Sequence, residues 1–221
     1  MRFIVYYQPK YSQIKQMAKR LILFCFVVQP LLIIILHAQA PFEHARKANK
    51  RIKIVELQQF TEKLTEPFTT DRDKYLAIAG WIGLNFKYDV SYLNKPKVRR
   101  QPLKKLLRKR KANCVGYADL LYAMCHFAGI PCERVTGAMH RFDNWSTDTI
   151  VIPEHMWNSV FIDSQWIVSD VGFAAGYVVR RSQPIRHLFY ELLNIPYKER
   201  YRARRHFNPL WLDIPKDSLL Y

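Results

Sequence analysis

A chain of 221 residues, 49% hydrophobic and 24% charged with 7 Gly and 12 Pro, suits one domain with one core and is neither disordered nor fibrous in composition. Its formal charge is +17; residues 1–40 hold five Lys and Arg and no acid, leaving 30 bases against 18 acids in the rest. Basicity alone names no partner, and nucleic acid is not expected because no recognition motif accompanies the charge.

The chain opens on what looks like an export signal. Lys19 and Arg20 precede an apolar run from Leu21 to Leu36, broken only by Gln29 and Pro30, and His37-Ala38-Gln39-Ala40 follows. A basic start, an apolar stretch and an Ala-x-Ala end make a secretory signal peptide, so residues 1–40 are expected to be one. Residues 1–16 are long and polar for its front, and Met17 is a better initiator. Pro41 favours a cut after Ala38. The run falls short of the about 20 apolar residues of a membrane span. An uncleaved anchor is the alternative, with the same domain outside the membrane. The expected location is periplasmic or secreted.

Residues 41–50 are polar and basic and read as a linker. From 51 to 66, Ile54, Leu57, Phe60 and Leu64 recur at helical spacing, and Pro67 stops the run. A second helix is expected from Asp71 to Phe86, with Tyr75, Ile78, Trp81, Ile82 and Phe86 as its apolar stripe. Lys95 to Lys111 carries ten Lys or Arg in 17 residues and reads as a solvated face or as an attractor of anionic envelope polymer. A third helix starts at Asn113 or Cys114, because the Asn side chain can accept from first-turn N–H groups. Gly129 and Pro131 end it.

The period then changes. Glu133–Met139 reads as a strand and 140–153 as a loop containing His140. His155–Ile162 and Gln165–Val171 read as a hairpin about Asp163-Ser164. Helices first and strands later give an α+β domain. The tail from 179 to 221 is basic and aromatic, with short helices or extended packing expected. Trp157 and Trp166 read as sheet core.

Cys114 in a first helical turn meets free N–H groups and the positive end of the helix dipole, which favour a thiolate. With the turn centred on Asp163-Ser164, Phe161 faces Trp166 and Trp157 faces Asp170. His155 shares the face of Trp157, so His155 and Asp170 are diagonal neighbours, roughly 7 Å apart at the backbone. A carboxylate there can fix the imidazole tautomer, as the third member of a triad does. The approach of Cys114 to His155 does not follow from spacing. Three cysteines follow the signal, Cys114, Cys125 and Cys132, and an odd count in an exported protein leaves a thiol over. Cys125 and Cys132 read as buried thiols; if one pair bridges, it is these two. No Cys-x-x-Cys or clustered His points to a metal, and no cofactor is expected.

The run Asn113-Cys114-Val115-Gly116-Tyr117-Ala118-Asp119-Leu120-Leu121 resembles the nucleophile motif of the transglutaminase-like superfamily. Ala128-Gly129-Ile130-Pro131-Cys132, Val135-Thr136-Gly137, His155-Met156-Trp157-Asn158 and Trp166-Ile167-Val168-Ser169-Asp170 are similar to the segments that follow it in that family. Trp81-Ile82 and Phe86-Lys87-Tyr88-Asp89 match its upstream pattern, and Met124-Cys125 with Cys132 resemble the branch that includes kyphoscoliosis peptidase. The resemblance covers about residues 50–177, with a catalytic domain expected over 51–178. It implies a papain-like α+β core, Cys114 as nucleophile, His155 as base and Asp170 as orienting acid. Three positions depart from the pattern: Val171-Gly172-Phe173 replaces Thr-Trp after the Asp, Asn113 a Gly before the Cys, and Ser164 a turn Gly. The Cys114 N–H is a candidate oxyanion donor; no second donor can be named. The expected chemistry is attack on a peptide or isopeptide amide, with hydrolysis favoured over transamidation. The rival is a catalytically silent envelope-binding or scaffolding module that uses the basic face.

Overall fold

The computed structural model describes residues 39–48, 51–93, 100–139, 152–181, 183–195 and 200–214, together with 16, 19 and 20. The chain divides into two compact units, Met1–Ala40 and Pro41–Tyr221. Nearly all of the expected export signal, and the loop with His140, lie outside the described residues. Among those described, no helix is long and apolar enough to cross a membrane.

The second unit opens within helix α1 (39–47). This corrects the linker expected over 41–50: Ala45 is fully buried, and the Phe42 ring packs edge-on to Phe207 at 5.4 Å. Buried Pro41 and Ala45 with half-buried Phe42 are enough to dock a helix whose outer face carries Glu43, Arg46 and Lys47. Helix α2 (Leu57–Thr65) follows a 3-10 turn at Ile54–Glu56. Helix α3 (Asp71–Asn85) is capped by Thr70, whose hydroxyl accepts from the Asp73 N–H, and its first turn carries Asp71 and Asp73 at the positive dipole end. It buries Tyr75, Ile78, Trp81 and Ile82 completely.

The basic stretch is structured at its end. Helix α4 (Leu103–Lys109) buries Leu106 and Leu107 and turns its cations outward. Strand β1 (Lys87–Tyr88) pairs in parallel with β2 (Lys111–Ala112), setting Tyr88 opposite Ala112. Helix α5 (Cys114–Phe127) comes next and is the centre of the fold. Nine of its 14 residues are buried, because α2 and α3 pack on it along with the sheet. A helix apolar almost all round belongs inside. Gly129, at φ 73°, closes its C-terminus in the left-handed conformation.

The sheet has the order β3-β4-β5: β3 (Cys132–Met139), β4 (Ile152–Ile162) and β5 (Gln165–Ser169). Phe161 pairs with Trp166 and Asn158 with Ser169, the register read from the sequence. Both turn residues lie at positive φ, Asp163 at 51° and Ser164 at 64°, as a two-residue hairpin turn demands. The second strand ends earlier than expected. Asp170 caps a short helix, α6 (Val171–Ala174), by accepting from the Phe173 N–H, so Val171 is helical and not strand.

Strand β6 (Gly176–Arg180) pairs antiparallel with β7 (Tyr201–Arg205), with α7 (Pro184–Leu192) between them. The tail expected to be an extension is instead part of the same unit. Leu212 in the 3-10 turn Pro209–Leu212 is fully buried, and Ile214 bridges Val168 at the sheet edge. Its Pro and Arg content hid these contacts.

Candidate active site

Three elements converge on Cys114. Strand β2 delivers it to the start of α5, where Asn113 Oδ1 accepts the Gly116 N–H at 2.9 Å. Gly116 has no room for a side chain: a Cβ there would lie 2.8 Å from Leu106. Strand β4 delivers His155, and the end of β5 delivers Asp170. Asn158, buried on β4, donates to the carbonyls of Ala118 and Glu133 at 3.1 and 3.2 Å. It thereby ties β4 to α5 one helical turn below the thiol.

His155 Nε2 meets Asp170 Oδ2 at 2.5 Å. The thiol of Cys114 is hydrogen-bonded to the same imidazole, and Nδ1 is the nitrogen left for it. All three side chains are largely buried, with Cys114 only 3% exposed. The structure thus brings together the three residues singled out from the sequence, including the Cys114–His155 approach that spacing could not supply.

The charges follow from this geometry. Burial pushes the Cys114 thiol up. The hydrogen bond and charge of His155, with the backbone N–H groups of Met156 and Val115, outweigh it and hold the thiol below its ordinary value. Burial alone would lower the His155 pKa; its hydrogen bonds to Asp170 and Cys114 raise it to about 9. His155 therefore stays protonated at neutral pH, and its charge makes the Cys114 thiol easier to ionise than an isolated one. Asp170 is fixed from several sides: its Oδ1 accepts from the Phe173 N–H at 2.9 Å, and its own N–H donates to the Trp211 carbonyl at 2.7 Å.

The imidazole ring lies between two aromatics. Trp157 stacks on it at 5.8 Å and Phe173 lies on it at 5.1 Å. Trp157 is half-buried, not the core residue expected, because its indole crosses Gly137 on β3, where a Cβ would come within 2.5 Å. Trp166 likewise sits on the outer face against Phe161.

Tyr88 was missed as a site residue. Its hydroxyl hydrogen-bonds both the thiol and the backbone N–H of Cys114. Burial, followed by the charge and hydrogen bond of Cys114, pushes its pKa well up, so it stays a protonated donor. The β1–β2 pairing that places it joins two residues from each strand, too short to show in sequence periodicity.

Cys125 is fully buried and its thiol is hydrogen-bonded to that of Cys132, which is partly exposed and not buried as expected; both are free. Cys132 sits at the start of an outer strand, which leaves one side open. Beside the triad, Asp119 on α5 accepts from both Arg100 and Arg134. Among the described residues, no group of three or more His, Cys, Asp or Glu could hold a metal ion.

Residues 58–171 match the profile of the transglutaminase-like superfamily. The chain is 30% identical over 124 residues to kyphoscoliosis peptidase of Homo sapiens, covering 55% of this chain and 19% of that protein. It is 28% identical over 137 residues to the Mus musculus protein, covering 61% and 21%. It thus spans about a fifth of the length of the curated relatives it matches. A solved structure of a candidate cysteine protease from Cytophaga hutchinsonii aligns with a TM-score of 0.42 at 21% identity, over 57% of this chain and 39% of that one.

Proposed function

The chain belongs to the transglutaminase-like superfamily, and from that premise we propose that it is an exported cysteine enzyme that cleaves peptide or isopeptide amides through a Cys114 thioester. The observation that carries the reading is the continuous hydrogen-bonded series Cys114–His155–Asp170 at the start of a buried helix. The Cys114 thiolate attacks the amide carbonyl carbon, forming the C–S bond and a negative oxygen. The imidazolium of His155 gives its proton to the departing nitrogen as the C–N bond breaks. Neutral His155 then takes a proton from water, whose oxygen attacks the thioester, and the thiol leaves. Asp170 holds the imidazole in orientation and supports its charge.

Tyr88 supplies what the backbone alone lacks. Its hydroxyl proton, donated to the thiolate at rest, is free to turn to the carbonyl oxygen once sulfur becomes bonded to carbon. Export is proposed from the Lys19-to-Ala40 pattern, and hydrolysis over transamidation from the relatives named as peptidases.

Iodoacetamide alkylation against pH, with the modified residue identified by peptide mass, tests the pair. Cys114 should react fast well below pH 8, where an isolated thiol of pKa about 8.5 is mostly protonated. His155→Ala should return it to ordinary thiol behaviour. An ordinary midpoint in the wild type, insensitive to His155, would instead favour a non-catalytic binding module on the same fold.

A further inference from the structure

The wall of the cleft beside His155 is charged in an unbalanced way. Arg100 gives Nε to one carboxylate oxygen of Asp119 at 2.7 Å and its NH2 group to the other at 2.8 Å; Arg134 on β3 gives its NH1 group at 2.8 Å. The Asp119 side chain is 7% exposed, against 66% for Arg100 and 35% for Arg134. Two guanidinium groups therefore share one carboxylate and leave one net positive charge.

Donors are left over as well. A guanidinium carries five N–H groups. Asp119 uses a minority of them, with Arg100 engaged through two nitrogens and Arg134 through one. Arg134 also lies over the Tyr122 ring at 4.5 Å, which fixes its plane. An ion pair that only fastened α5 to its neighbours would need one arginine. Here a buried carboxylate braces two, and both stay open to solvent. They border two depressions: one of about 500 Å³ that reaches Val115, His155 and Met156, and one of about 600 Å³ floored by Leu103 and Tyr122.

We propose that Arg100 and Arg134, braced by Asp119, form a carboxylate-binding subsite, and that the substrate is a peptide with an acidic residue close to the amide that Cys114 attacks. The proposal rests on Cys114 being the nucleophile. Asp119 follows Cys114 by five residues on α5, about 7.5 Å along the helix axis. An extended peptide advances about 3.3 Å per residue, with alternate side chains on one side. Because Arg100 and Arg134 line the same depression as Val115 and His155, the acidic residue lies within a few positions of the reacting carbonyl. Lys104, Lys105, Arg108 and Lys109, exposed on α4, extend the positive field and draw such a peptide in.

The test needs no known substrate. Iodoacetate and iodoacetamide alkylate the same sulfur by the same displacement: an S–C bond forms, a C–I bond breaks and iodide leaves. They differ in one carboxylate. With the full chain at low salt, the ratio of the two rates at Cys114 should favour iodoacetate. It should fall roughly three- to five-fold in Arg100→Gln or Arg134→Gln, and in the wild type when salt is added. As a second measurement on the unaltered protein, an acetylated glutamate dipeptide should protect Cys114 from iodoacetamide better than its glutamine counterpart. A ratio indifferent to both arginines, or equal protection by the two dipeptides, overturns the subsite. Slow iodoacetamide alkylation with a ratio that still depends on Arg134 keeps the subsite and overturns the nucleophile instead.

Discussion

His155, Asp170 and Tyr88, which act on Cys114, come from three different parts of the fold, so each can be removed separately. His155 has its pKa raised to about 9. Its favourable charge is therefore fully present below the ordinary value near 6.5 and is lost as pH rises through about 9. Cys114 is lowered, so its contribution is present above the ordinary thiol value and is lost as pH falls through the lowered one. The ion pair occupies the window between. Amide hydrolysis, which needs the imidazolium proton, should decline above pH of about 9. Asp170→Asn should move that decline to lower pH and cost on the order of 10³-fold or more in kcat; a pH–rate profile with unchanged limbs would contradict the orienting role of Asp170. Tyr88→Phe removes one hydroxyl and little packing. It should lower kcat by about 10²-fold while leaving KM nearly constant, as the loss of a donor that turns to the developing oxyanion does. Steady-state kinetics on any cleaved peptide separates the two parameters.

At the level of elements, what could be read from the sequence depended on whether local signals and burial agreed. The cap at Asn113, the stop at Gly129 and the register about Asp163-Ser164 each rest on a few adjacent residues, and each stands in the structure. Helix α4 stayed hidden because two buried leucines sit among exposed cations. The end of β5 was misplaced because Asp170 looks like a strand residue until its carboxylate caps α6. The docking of α1 and Tyr88 depends on partners far along the chain, which no window of sequence contains. The hairpin turn yields a stability prediction. Ser164 at φ 64° holds a conformation costly for any residue with a Cβ. Ser164→Gly should raise stability by about 0.5–1 kcal/mol in urea unfolding, net of the added freedom of the unfolded chain. An equal or lower midpoint would mean that the serine backbone is not strained there.

For the whole molecule, the family match ends at residue 171, but the working unit does not. Trp211 accepts the Asp170 N–H, its ring packs on Phe173 at 4.8 Å, and Arg72 links Asp163 to Asp213. A chain ended after Tyr177 should therefore lose fast Cys114 alkylation, which peptide mass mapping would show directly; retention of that rate would mean that Asp170 holds itself. The proposed export predicts that N-terminal sequencing finds a start near residue 39 or 41, whereas Met1 or Met17 would indicate an anchor. The hold of Trp211 on Asp170 also sets an order of events in time. A chain is made from its N-terminus onwards, so Cys114 and His155 exist well before the residue that seats their acid. The partial chain on a ribosome that ends before Trp211 carries Cys114, His155 and Asp170 but lacks the carbonyl that holds the Asp170 N–H.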